Sequence, residues 1–208
     1  MRKIFFIGMH KTGTSTITKT LKANGLNCMH NPIWTKWSKQ KNKTKLNQYD
    51  AYSDGWTVNY QWLDAEFDAW FVLNTRNLKS WLISRWNHRN RRNGQPEYLK
   101  KLSSGKKLDN SERAVISWIL ERNEYHKEMI NYFSGNSNFI TLDIEKEPVP
   151  TVLTKLSLIS NKKITSLMST NIASKSHQYI KNPAPVLAAL NKLSLTEKEC
   201  NEFYLDRL

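Results

Sequence analysis

Lys3-Ile-Phe-Phe-Ile-Gly8-Met-His-Lys11-Thr-Gly13-Thr-Ser15-Thr-Ile-Thr18-Lys-Thr20 is the stretch whose reading decides the fold. Ile4, Phe5, Phe6 and Ile7 form an apolar run of the length expected for a strand buried in a parallel sheet. Gly8 and Gly13 bracket a tight loop, and Thr14, Ser15 and Thr16 then bring hydroxyls and backbone N–H groups to the start of a helix. Unsatisfied donors and the positive end of the helix dipole both favour an anion there. Ile17 and Leu21, one turn apart, give that helix an inner face, and Gly25 is a natural C-terminal stop. The whole stretch therefore reads as strand, phosphate-cradling loop and helix.

Working outward, the chain of 208 residues has room for one sizeable α/β core, and we read residues 1–208 as one domain. Its formal net charge of +14 calls for anionic partners: nucleic acid, an acidic glycan, an anionic membrane surface or a polyanionic nucleotide. Cys28 and Cys200 lie far apart, with no metal or redox spacing, which fits a reducing compartment. The apolar run at the start is too short for a signal peptide and is followed by His10 and Lys11 without a small-residue cleavage site. No stretch is long and apolar enough to suggest a membrane span.

Further along, residues 26–30 read as a second short strand closed by Asn31-Pro32. Residues 33–49 interleave Trp34 and Trp37 with five lysines. They read as a solvated loop with one tryptophan tucked onto the core, although the same mixture suits single-stranded nucleic acid or sugars. Residues 57–67 look helical, and residues 70–74 are a buried strand that delivers Thr75 and Arg76 to the edge where the first loop ends. Leu78, Trp81, Leu82 and Trp86 recur at helical spacing, beside a basic run of Arg85, His88, Arg89, Arg91 and Arg92 that reads as a solvated face able to steer an acidic partner. A Gly-, Ser- and Lys-rich loop at 93–110 precedes the longest helix, 111–133, with His126 as a structural residue near its buried stripe. Residues 139–144 read as a further strand, followed by helical pieces at 151–159, 184–193 and 196–205. Strands alternating with helices predict a three-layer α/β/α fold around a central parallel sheet.

Gly8-Met-His-Lys11-Thr-Gly13-Thr14-Ser15 departs from the nucleotide-triphosphatase loop G-x-x-x-x-G-K-[ST] in one respect. Thr14 occupies the lysine position and Lys11 has moved inside the loop. A lysine after the second glycine reaches the β- and γ-phosphates while the next hydroxyl holds magnesium. A lysine within the loop suits a shorter anion with a bridging oxygen to neutralise. Lys11-Thr-Gly-Thr-Ser15 resembles the 5′-phosphosulfate loop of the sulfotransferases that use 3′-phosphoadenosine-5′-phosphosulfate (PAPS). Arg76-Asn-Leu-Lys-Ser-Trp-Leu-Ile-Ser84, an arginine at a strand end with a serine eight positions later, resembles the 3′-phosphate motif of the same family.

That resemblance implies a P-loop-like sulfotransferase fold and transfer of a sulfuryl group from PAPS to a hydroxyl or amine of a small molecule or glycan. It implies that Lys11, Thr12, Gly13, Thr14, Ser15 and Thr16 bind the 5′ end, with Lys11 also neutralising the leaving oxygen, and that Arg76 and Ser84 hold the 3′-phosphate. Asp54 stands at the family's distance from the arginine for a catalytic base, and His30 ends the second strand, where the glutamate-type heparan sulfate enzymes present theirs. Both stay open as the base, with His10 as a third candidate that shapes the loop. Lys175 stands in for the basic element that closes over the 3′-phosphate. No metal is called for, and since the Golgi members begin with an anchoring helix that has no match here, the resemblance implies a cytoplasmic location. Two other readings remain: a nucleotide or small-metabolite kinase on the same scaffold, and a nucleic-acid-binding module using the basic segments at 36–45 and 85–92.

Overall fold

A computed structural model describes residues 2–93, 109–168 and 183–208. They divide into two compact units, one holding residues 2–76 and 129–168, the other residues 77–93, 109–128 and 183–208. In order, the elements are β1 Lys3–Phe6, α1 Thr14–Ala23, β2 Cys28–His30, α2 Ile33–Lys39, α3 Lys43–Leu46, β3 Ala51–Ser53, α4 Tyr60–Glu66 and β4 Ala69–Asn74. They continue with α5 Leu78–Asn93, α6 Glu112–Tyr132, β5 Phe139–Leu142, α7 Val149–Ser160, α8 Ala184–Lys192 and a 3-10 turn Glu199–Asn201.

The first unit is an α/β fold with five parallel strands in the order β2-β3-β1-β4-β5. Every residue of β1 after Lys3 is buried because the strand is central and covered on both faces. Ile4 and Phe6 meet Ile17 and Leu21 of α1 and Val152, Leu156 and Ile159 of α7. On the other face, Phe5 stacks on Tyr52, Phe71 and Trp34 at centroid distances of 5.4, 5.7 and 5.8 Å. Phe133, after α6, extends that aromatic layer by stacking 4.7 Å from Phe71 and 4.9 Å from Phe139. Each such fully buried side chain stabilises by about 1.5–3 kcal/mol, so the strand and its two helical layers specify one another. The expected three-layer arrangement is what the unit has.

Residues 33–49 are not a loop: Trp34 and Ser38, one turn apart, are buried on the inner face of α2, and the Asn42 side chain caps α3 by accepting from the Lys45 N–H. Trp34 is the tryptophan that packs into the core. The segment 196–205 carries only a 3-10 turn in place of a helix, because the Glu199 carboxylate turns back onto Thr196 and Arg207. β3 had no counterpart in the sequence reading. Ala51-Tyr-Ser53 is too short to carry a pattern and is a strand only because β1 and β2 pair with it on either side.

In the second unit Trp81, Leu82, Trp118 and Ile119 are buried with Val186 and Ala189. The basic run on α5 is less solvated than expected. The Arg85 guanidinium lies 5.2 Å from the Trp81 ring and 4.7 Å from Trp118, and Arg89 lies 4.7 Å from Trp118. His126 is fully enclosed and donates through Nδ1 to the Phe203 carbonyl at 2.9 Å, the structural role expected of it.

Burial, seconded by the Arg122 charge, holds the His126 imidazole well below its ordinary value of 6.5. The unfolded chain therefore binds a proton that the folded chain refuses. Stability falls once pH drops through 6.5, and the loss is complete below the folded value. The expected slope inside that window is on the order of 1.4 kcal/mol per pH unit. Urea midpoints between pH 7.5 and pH 5 test this, and a flat profile would contradict it.

Candidate functional site

The loop after β1 is built by β4 as much as by its own glycines. Asn74, fully buried at the end of β4, accepts from the Gly8 N–H through Oδ1 at 3.1 Å and donates through Nδ2 to the Thr12 hydroxyl. Thr12 Oγ1 donates in turn to the Met9 carbonyl at 2.5 Å, so the buried Thr12 side chain shapes the loop from within. Gly8 lies so close to β4 that a Cβ there would sit 1.9 Å from the Asn74 carbonyl oxygen. Gly13 has φ 84° and faces Ile144 Cδ1, which a Cβ would approach to 2.2 Å. Between them Lys11 holds a left-handed conformation, φ 69°, that a non-glycine residue adopts only under constraint.

Gly13 is the N-cap of α1, and no side chain caps the helix. The first turn, Thr14 to Thr16, presents backbone N–H groups of the kind that bind anions. Thr14 is buried, while Ser15 and Thr16 are half-buried. Arg76, two residues past β4, donates through Nη1 to the Lys11 carbonyl at 3.4 Å. The basic strand tip and the loop therefore stand side by side. Arg76 also forks onto Glu145, with Nε 2.7 Å from Oε2 and Nη2 2.5 Å from Oε1. Glu145 is held by a turn after β5 in which the Asp143 carboxylate accepts from the Glu145 and Lys146 amides. Ser84 is half-buried on α5 of the second unit, and Lys175 lies outside the described residues.

The three candidates for a base follow or end β1, β3 and β2 at the carboxyl edge of the sheet, and of them His10 and Asp54 approach one another. Asp54 follows β3 with φ 63°, and its Oδ1 is 3.9 Å from His10 Nδ1. The Trp56 indole donates to His10 Nε2 at 3.0 Å; an indole can only donate, so neutral His10 carries its proton on Nδ1, toward Asp54. His30 ends β2, with Nδ1 2.9 Å from Ser53 Oγ and Nε2 3.1 Å from Ser15 Oγ. Its Nδ1 side is partly enclosed and its Nε2 side exposed. Burial pulls the His30 pKa below the ordinary value; Asp54 opposes this, and Lys22 and Lys11 add to it.

Asn74, Ser53, Thr18, Trp56 and Glu145 were not singled out from sequence. Each acts through a partner on another strand or loop, and no local pattern marks it. Among the described residues no group of three or more His, Cys, Asp or Glu side chains could hold a metal ion. Neither cysteine is poised to react: both are buried, and burial pushes the Cys28 thiol up to about 12. No helix among the described residues is long and apolar enough to cross a membrane. A scan of the chain against protein-family models and a search of curated proteins returned no match.

Proposed function

We propose that the protein is a PAPS-dependent sulfotransferase. The observation that carries this reading is the hydrogen bond from Arg76 to the Lys11 carbonyl, which joins the basic tip of β4 to the loop that leads into the uncapped first turn of α1. An anion-binding turn and a guanidinium in one crevice at the carboxyl ends of parallel strands suit a nucleotide phosphorylated at both its 3′ and 5′ positions. The groups this reading assigns to such a ligand at the loop are backbone amides, the Ser15 hydroxyl and Lys11. Glu145 is the opposing feature, since its carboxylate occupies the Arg76 fork that the reading assigns to the 3′-phosphate.

In the proposed reaction an acceptor oxygen or nitrogen forms a bond to sulfur, the bond from sulfur to the bridging phosphate oxygen breaks, and the acceptor proton passes to a base. Charge accumulates on that bridging oxygen, so a fixed cation beside it lowers the barrier more than it tightens the ground state. Lys11, held in the loop at φ 69°, is the residue for that task. The α1 amides and Ser15 hold the 5′-phosphate, Arg76 the 3′-phosphate, and Asp54 or His30 takes the proton. For a kinase the tip of β4 lacks the magnesium carboxylate: Asn74 stands there, engaged with Gly8 and Thr12.

Incubation with sulfur-labelled PAPS and panels of glycans, phenols, amines and lipids tests the activity, with label appearing in one acceptor class without added magnesium. Magnesium-dependent turnover of ATP would favour the kinase instead. Lys11→Ala is expected to lower kcat by roughly 100-fold and change affinity for adenosine 3′,5′-bisphosphate by less than about threefold, since it removes an interaction made chiefly in the transition state. The opposite split would take the leaving-oxygen role from Lys11.

A further inference from the structure

The hydrogen bonds around His30 form a chain whose proton directions can be derived. Thr18 Oγ1 lies 2.8 Å from the Thr14 carbonyl, which can only accept, so the Thr18 proton is used there. Thr18 Oγ1 is also 2.6 Å from Ser53 Oγ, and that contact must use the Ser53 proton. Ser53 then has none to give His30 Nδ1 at 2.9 Å, so Nδ1 carries the hydrogen and Ser53 accepts it. A second, longer approach of Nδ1 to Thr18 Oγ1, 3.4 Å, agrees in sense. Neutral imidazole protonated on Nδ1 has its lone pair on Nε2, and the hydroxyl 3.1 Å away, that of Ser15, donates to it. Thr18 and Ser53 are only 5% and 3% exposed, so water does not compete for these bonds.

We propose that His30 is the general base, that Ser53 and Thr18 are its positioning residues, and that Ser15 couples the base to the anion site. The inference rests on the transferase reading above. Ser15 belongs to the first turn of α1, where the 5′-phosphate is assigned, and a charged phosphate oxygen is a stronger acceptor for its hydroxyl than a neutral imidazole. Filling the turn draws the Ser15 proton to the phosphate and leaves Nε2 bare for the acceptor. The acceptor proton then moves to Nε2, its O–H or N–H bond breaking as N–H forms, and the imidazolium keeps its Nδ1–H on Ser53. No hydroxyl in the chain has to turn during that step, so the base is preorganised in both charge states. Asp54 supports the imidazolium electrostatically, against burial and the Lys22 and Lys11 charges.

Imidazole nitrogen NMR of the full chain tests this, with the His30 signals assigned by their loss in His30→Gln. The expected result without ligand is His30 protonated on Nδ1 and bare on Nε2; the other tautomer would overturn the relay. Adenosine 3′,5′-bisphosphate is expected to shift the Nε2 signal and leave Nδ1 protonated, and an unmoved Nε2 signal in the complex would overturn the Ser15 coupling. Ser53→Ala and Thr18→Val are expected to mix the tautomers, lower kcat by at least roughly tenfold and alter the acid limb of the pH profile, within what a general base contributes. Their bisphosphate affinity stays within about twofold, and Thr18→Ser restores the wild-type profile. Unchanged tautomer and pH profile in folded Ser53→Ala would refute the positioning role. Failure of the wild-type protein to bind the bisphosphate would remove the transferase reading while the ligand-free tautomer still reports on the relay.

Discussion

Gly8→Ala is expected to destabilise the protein by on the order of 3 kcal/mol, near the upper end of what overpacking costs. The new methyl would have to occupy space 1.9 Å from the Asn74 carbonyl oxygen and 2.7 Å from the Asn74 side chain. Backbone cannot swing aside as a side-chain end can, so β1 and β4 must part at their tips. The Gly8 N–H to Asn74 bond and the Asn74 to Thr12 bond break with them. Gly25→Ala is the control: its φ of 81° disfavours a side chain, but nothing lies within 4 Å of the added Cβ. That substitution is expected to cost about 1–2 kcal/mol, the backbone strain alone. Urea unfolding of the two variants compares them directly, and equal losses would show that the loop does not depend on close approach of β4.

Arg76→Ala is expected to weaken binding of adenosine 3′,5′-bisphosphate by about 10- to 100-fold, the range for losing hydrogen bonds to a charged group. Two effects act in one direction. The guanidinium fork is lost, and Glu145, now without its partner across 2.5 and 2.7 Å, presents an uncompensated carboxylate to an incoming phosphate. Glu145→Gln works the other way. It keeps the size of the side chain, removes the competing charge and tightens binding by up to about fivefold, the modest effect of a partly exposed ion pair. Calorimetry on both variants reads the two signs, and an Arg76→Ala protein with wild-type affinity would take the 3′-phosphate from this residue.

The parts of this molecule that were legible beforehand are those whose information is local. Ile4 to Ile7, the two glycines and the hydroxyl run after them specify strand, loop and helix within twenty residues, and β1 and α1 formed where expected. Leu78, Trp81, Leu82 and Trp86 likewise announced α5 by their spacing. β3 escaped because three residues carry no period, and it exists only through pairing on both sides. What surrounds His30 escaped for the same reason: Thr18, His30 and Ser53 sit on α1, β2 and β3 and meet only because the strand order puts β2 beside β3. The Glu145 fork on Arg76 joins residues from the ends of neighbouring strands β4 and β5. In the segment 33–49 the abundance of lysine hid a helix whose inner positions are Trp34 and Ser38.

Calorimetric titration of the wild-type chain with adenosine 3′,5′-bisphosphate, in buffer without divalent metal, tests the central claim most directly. Saturable binding with a dissociation constant below about 1 mM, equivalent to roughly −4 kcal/mol or better, is the predicted result. Absence of binding at that concentration, or binding confined to ATP with magnesium, would contradict it.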